Sequence, residues 1–295
     1  MPDFYTVVLN RADPAFSVGE TRNYGLSVQF SDSHFACCVL DYRMNRYVLI
    51  QNFRKNEFIP KARPGFKLSY DDFLKSLLNV SPWLKNPFKT VRLAWEGRKS
   101  TLVPGPLFDS QESESYLRLN FGMPAEERVQ ADHIQVFDNY LVYSLPAAME
   151  DSIKKLFPAS RVQNLSAVLL QSVWKNYKTR INASRVFLHV KDKTFDILIY
   201  DGKSIKYFNT FTWMVAEDVA YFLIFVLEQL GMNPDHSSVV LLGNIDRGSN
   251  LFELVYRYVR NMEFGRRNET FKYSQVFDVV APQAYYPLLN FNSCE

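Results

Sequence analysis

Between residues 24 and 53 the apolar positions gather into three short runs, Tyr24 to Phe30, Phe35 to Leu40 and Tyr47 to Phe53. The runs are rich in β-branched and aromatic side chains, and the spacers Ser31-Asp32-Ser33 and Asp41 to Asn45 carry turn chemistry. An antiparallel meander of three strands is predicted. The period then changes. Ser69 with Asp72 three residues on resembles a capping box, and Phe73, Leu74, Leu77 and Leu78 recur on one helical face until Pro82 ends it. Thr90 to Trp95 is a fourth strand.

Residues 98 to 144 break the pattern and read as an insertion rich in Pro, Gly, Ser and Glu. A short helix is expected near Ser113 to Phe121, then a hairpin pairing Ile134 to Phe137 with Leu141 to Leu145 around Asp138-Asn139. Pro146 opens a helix that Pro158 stops, and strand Arg161 to Asn164 with helix Ser166 to Tyr177 completes this half.

The second half repeats the order. Arg185 to Val190, Phe195 to Tyr200 and Ile205 to Phe211 read as strands, and Val219 to Leu230 as a helix apolar on nearly every face, hence buried, that Gly231 stops. Val239 to Leu242 is the next strand. Asn250 and Glu253 can cap a helix carrying Phe252, Val255, Tyr256, Val259 and Met262, before a strand Gln275 to Val279 and a final block, Pro282 to Phe291. Leu26, Phe30, Asp32, Phe35 and Asp41 align with Val186, Val190, Asp192, Phe195 and Asp201 at a constant offset of 160 positions, 186 against 26 and 201 against 41. Phe157, Ser160 and Val162 also align with Phe271, Ser274 and Val276, which favours a tandem duplication.

Three antiparallel strands followed by αβαβα is the ribonuclease-H-like order, and two copies in tandem make the actin-like ATPase architecture. The expected fold is therefore α/β, with two ribonuclease-H-like lobes, each a five-stranded mixed sheet flanked by helices. Residues 1–178 form the first lobe with its insertion, residues 179–295 the second, and the boundary falls near Lys178 to Ala183. The segments Leu102 to Phe108 and Asn139 to Pro146, with the C-terminal hydrophobic block, resemble a bacterial family of unknown function with an actin-like ATPase fold. More distantly the chain is similar to FtsA and PilM.

That resemblance implies an Asp-x-Gly at the end of each lobe's first strand, the Asp holding hydrated Mg²⁺ and the Gly admitting backbone N–H groups to phosphate. Gln29-Phe30-Ser31 and His189-Val190-Lys191 stand there instead. Gln29, Ser31, His189 and Lys191 thus occupy degenerate phosphate-loop positions. Asp32 and Asp192 lie further on, where turn geometry or metal contact can account for them. Gly243, Asn244 and Asp246, in Leu241 to Gly248, stand where the working ATPases place an adenosine-contacting Gly-Gly motif. They are read either as ligand-binding residues or as a strand-to-helix turn.

Charge and composition narrow the function. Lys and Arg number 34 against 31 Asp and Glu, a balance that names neither nucleic acid nor an anionic membrane as partner. The longest apolar run, Val219 to Leu227, is too short to span a bilayer, and no apolar leader follows Met1. Cys37, Cys38 and Cys294 cannot form a disulfide framework, and a reducing cytoplasm suits them. His34, His133, His189 and His236 show no metal-ligand spacing, and no phosphate-binding glycine loop occurs. Adjacent carboxylate pairs do not converge, and Arg260, Arg266 and Arg267 read as a solvated surface. The expectation is a non-catalytic protein-interaction or scaffold module without a cofactor or metal, its partner surface at Leu107, Phe108 and Tyr116 of the insertion. The alternative is a nucleotide-dependent switch or an enzyme with a non-standard site between the lobes.

Overall fold

The computed structural model describes residues 4–56, 68–122, 126–180 and 184–294. In chain order β1 (Tyr5–Ala12), β2 (Tyr24–Phe30), β3 (His34–Asp41) and β4 (Arg46–Lys55) precede α1 (Tyr70–Val80) and β5 (Thr90–Trp95). Ser69 caps α1, its hydroxyl accepting the Asp72 N–H at 3.1 Å. The insertion contributes β6 (Ser100–Pro104), α2 (Ser113–Arg118), β7 (Glu127–Ile134) and β8 (Asn139–Pro146). α3 (Ala147–Leu156), β9 (Val162–Asn164) and α4 (Leu165–Tyr177) close the half.

The second half supplies β10 (Arg185–Val190), β11 (Thr194–Asp201), β12 (Ser204–Thr212), α5 (Ala216–Gln229), β13 (Val239–Gly243), α6 (Asn250–Tyr256) and β14 (Met262–Phe264). β15 (Lys272–Tyr273) and α7 (Tyr286–Asn290) follow. Its sheet has the order β12-β11-β10-β13-β14, and the first sheet contains the same order, β4-β3-β2-β5-β9. In both, three antiparallel strands are followed by two added in parallel. The first sheet has seven strands, not the expected five, because β1 and β15 both pair with β4. The insertion forms its own three-stranded sheet, β6-β8-β7.

Strand alternation assigns each sheet an outer and an inner face. Leu26, Val28 and Phe30 point outward onto Phe73, Leu74 and Leu77 of α1 and Ile153 of α3. Val186, Leu188 and Val190 point outward onto Val219, Leu223 and Leu227 of α5 and Val255 of α6. The inner faces enclose α4. Its Ala167, Leu169, Leu170 and Val173 pack on Phe187, Leu198 and Tyr200, while Leu165 and Val168 pack with Ala94 of β5 and Phe291.

Several expectations are corrected here. Gln275 to Val279 is not a strand: Ser274 accepts the Val276 N–H at 3.4 Å and starts a 3-10 turn over Gln275–Phe277. The fifth strand of the second sheet is β14, so Phe271, Ser274 and Val276 are not the counterparts of Phe157, Ser160 and Val162. From Gly265 the chain leaves the second sheet for the first. There Phe277, Val280, Leu288 and Leu289 cover Ala36, Cys38, Leu40 and Ile50, so this stretch of 179–295 packs with the first half. Of the expected lobe boundary, Ile181 to Ala183 lie outside the described residues. Helix α5 is not enclosed, since Tyr221 is 62 % and Phe225 45 % exposed: it covers the outer face of its sheet, and among the described residues no layer lies over it. In the insertion the first hairpin strand is β7, and Gln135–Phe137 forms a 3-10 turn ended by left-handed Asp138 at φ +48°. Ser249, not Asn250, caps α6, accepting the Phe252 N–H at 3.2 Å.

Candidate functional site

The offset of 160 positions places Gln29 on β2 and His189 on β10 at equivalent registers, opposite Ala36 and Asp196. Both follow the inward parity of their strands and meet in the cleft between the sheets. Asp196 is the hub of the second half. Its Oδ1 accepts from Lys191 Nζ at 2.9 Å and from Thr210 Oγ1 at 2.7 Å, and its Oδ2 lies 2.9 Å from His189 Nδ1. Asp196, Lys191 and His189 are all buried. Burial pushes the Asp196 carboxyl up, but the Lys191 ammonium and the His189 hydrogen bond outweigh it and hold the group well below the ordinary carboxylate range. An ionised Asp196 only accepts, so the proton of His189 sits on Nδ1.

The first half has Ala36 where the second has Asp196, and a different network forms. Gln29 Nε2 donates to Glu96 Oε2 at 2.8 Å, His34 Nε2 lies 3.4 Å from the same oxygen, and Ser31 Oγ shares a 2.7 Å hydrogen bond with His34 Nδ1. Across the mouth, Arg54 Nη2 binds Asp192 Oδ2 at 2.9 Å, and Asn244 Nδ2 binds Asp192 Oδ1 at 2.9 Å. The Arg54 side chain is 56 % exposed, so the ion pair contributes at most about 1 kcal/mol. The closure rests on packing instead. Gly243 N donates to Gln283 O at 2.9 Å, Asn52 Nδ2 donates to the Tyr285 hydroxyl at 2.8 Å, and Tyr47 OH donates to Leu289 O at 2.7 Å. The C-terminal stretch thereby floors the cleft.

A cavity of about 50 Å³ lies among these residues. That volume holds a few waters, against the roughly 300–1,000 Å³ of ordinary ligand pockets. Gln29, His189, Lys191, Gly243 and Asn244 all line it. Ser31 and Asp246 do not: Ser31 holds His34, and Asp246 O accepts the Ser249 N–H at 3.0 Å in the turn before α6. Asp32 lines a separate depression with Trp95 and Arg98. Gly243 has a backbone reason for being glycine. It adopts φ +81°, and a Cβ there would lie 2.0 Å from Val190 O.

Asn52, Arg54, Glu96, Tyr285 and Pro287 line the cavity and were not singled out by sequence. Asn52 and Arg54 share a strand parity that duplication reasoning could have followed onto β4. Nothing local marks Tyr285 or Pro287, because they enter from a stretch with no counterpart in the first half. Of the candidate partner surface, Leu107 is 70 % exposed, whereas Phe108 and Tyr116 are half-buried. Phe108 stacks on Tyr140 at 3.9 Å, and Tyr116 OH donates to Leu107 O at 2.7 Å. The insertion also exposes Leu119, at 83 %.

Among the described residues no helix is long and apolar enough to cross a membrane. No curated protein matches the chain in sequence. A solved protein of actin-like ATPase fold and unknown function from Bacteroides thetaiotaomicron VPI-5482 superposes with a TM-score of 0.73 at 17% identity, covering 95% of this chain and 99% of that one. The PilM-PilN type IV pilus biogenesis complex matches with a TM-score of 0.59 at 11% identity, covering 91% and 97%. Residues 13–262 match the family model described as Protein of unknown function (DUF3822). The chain has the actin-like ATPase fold and belongs to that family, DUF3822.

Proposed function

We propose that the chain is a non-catalytic, actin-like body that acts as a protein-interaction or scaffold module. The observation that carries this reading is the committed carboxylate of the cleft: Lys191 and His189, at the phosphate-loop positions, are hydrogen-bonded to buried Asp196 beside a cavity of about 50 Å³. A carboxylate that already binds a buried ammonium and an imidazole is not free to place hydrated Mg²⁺ on a phosphate. PilM, a body of the same fold, is solved in complex with PilN, which supports a protein partner for this chain. Three buried, unpaired thiols suit a reducing cytoplasm.

The partner surface is assigned to the exposed tip of the insertion around Leu107 and Leu119, held rigid by the Phe108–Tyr140 stack. Both leucines are solvent-facing, so Leu107→Ser with Leu119→Ser leaves the fold intact. Affinity capture from a bacterial lysate should recover a protein with the native chain and lose it with the double variant. Identical capture by both, with circular dichroism unchanged, contradicts the assigned surface.

A further inference from the structure

Lys175 and Arg180, from the end of α4 and just beyond it, meet Arg266 and Arg267 around a concavity of about 210 Å³. These residues are far apart in sequence, and the pair at 266 and 267 read there as a solvated surface. Four cationic side chains line the concavity against one carboxylate, Glu269. It shares no lining residue with the cleft between the sheets.

Local partners do not neutralise this charge. Lys175 Nζ donates to a neutral carbonyl, Ser293 O, at 2.7 Å. Arg267 donates through Nη2 to the carbonyls of Phe277 and Val280, and no described group bonds its buried Nε. Glu263 is bound by Arg185 and reaches Arg266 only at 4.0 Å. No described residue pairs with the Arg180 guanidinium. Like charges gathered in this way repel unless an anion joins them. Guanidinium forks match the planar, two-oxygen edge of an oxyanion, and the volume fits a group of a few heavy atoms.

We propose that this concavity binds a small multivalent oxyanion, phosphate or carboxylate in chemistry, through Arg180, Arg266 and Arg267. The inference does not depend on the scaffold reading. The test is calorimetric titration of the full chain with sodium pyrophosphate and, separately, with citrate, each at an ionic strength fixed with sodium chloride. Saturable one-site binding of either supports the proposal: pyrophosphate alone assigns a phosphate-type ligand, and citrate alone a polycarboxylate. Arg180→Gln with Arg266→Gln, both at exposed positions, should weaken that binding by about tenfold or more, the loss expected for charge-assisted hydrogen bonds. Absence of saturable binding by both probes, or unchanged affinity in the double variant, overturns it.

Discussion

Asp196 gathers the inward-facing polar side chains of the second half into one buried network. Its carboxylate stands opposite His189, and Lys191, just past the end of β10, reaches it from the same side. Asp196→Asn leaves Lys191 buried without a counter-charge, and an unfolding free energy lower by about 3–5 kcal/mol is expected in denaturant titration. Asp196→Leu combined with Lys191→Met should recover much of that loss, because removing both charges removes the desolvation penalty. A double variant no more stable than Asp196→Asn contradicts this account. The sign with pH follows from the depressed carboxyl: its contribution is present above 3.8 and is lost as pH falls through the folded value. At this scale the sequence was legible where the offset between halves reached. It brought Gln29, His189 and Lys191 together but was silent on Asp196, whose counterpart is Ala36.

Among elements, periodicity located most strands and helices, since alternation and capping are local signals. It failed where the deciding contact is distant. Helix α5 is apolar all round yet faces solvent along Tyr221 and Phe225, while α4 is the helix enclosed on both sides. Strand β1 escaped notice because it is an exposed edge with little apolar alternation. The stretch after Gly265 misled most, because a β-prone Gln-Val-Phe-Asp-Val-Val run becomes a turn once its side chains cap the first sheet. That packing yields a prediction. A chain ending at Phe264 would expose Ala36, Cys38, Leu40 and Ile50, and it should aggregate or bind a hydrophobic dye, although both repeated strand orders are retained. A soluble truncation with a cooperative transition like that of the full chain contradicts this role.

For the whole molecule, two sheets of one topology are joined by α4 and by the C-terminal stretch, which fill the space between them. Placing hydrated Mg²⁺ on the phosphates of a nucleotide takes free carboxylates. Here the inner ends of β2 and β10 carry side chains bonded to their own neighbours, and a cavity of about 50 Å³ remains. The fold class was legible because topology follows from element order. The closure was not, because it depends on chain segments that have no partner in the repeat. The most direct test is thermal denaturation of the full chain with and without saturating ATP and Mg²⁺. With His189 and Lys191 committed to Asp196, any difference between the two transitions should be the same in the native chain and in His189→Ala. A ligand present at 100 times its dissociation constant would add about 2.7 kcal/mol, and a stabilisation of that order, abolished by His189→Ala, would contradict it.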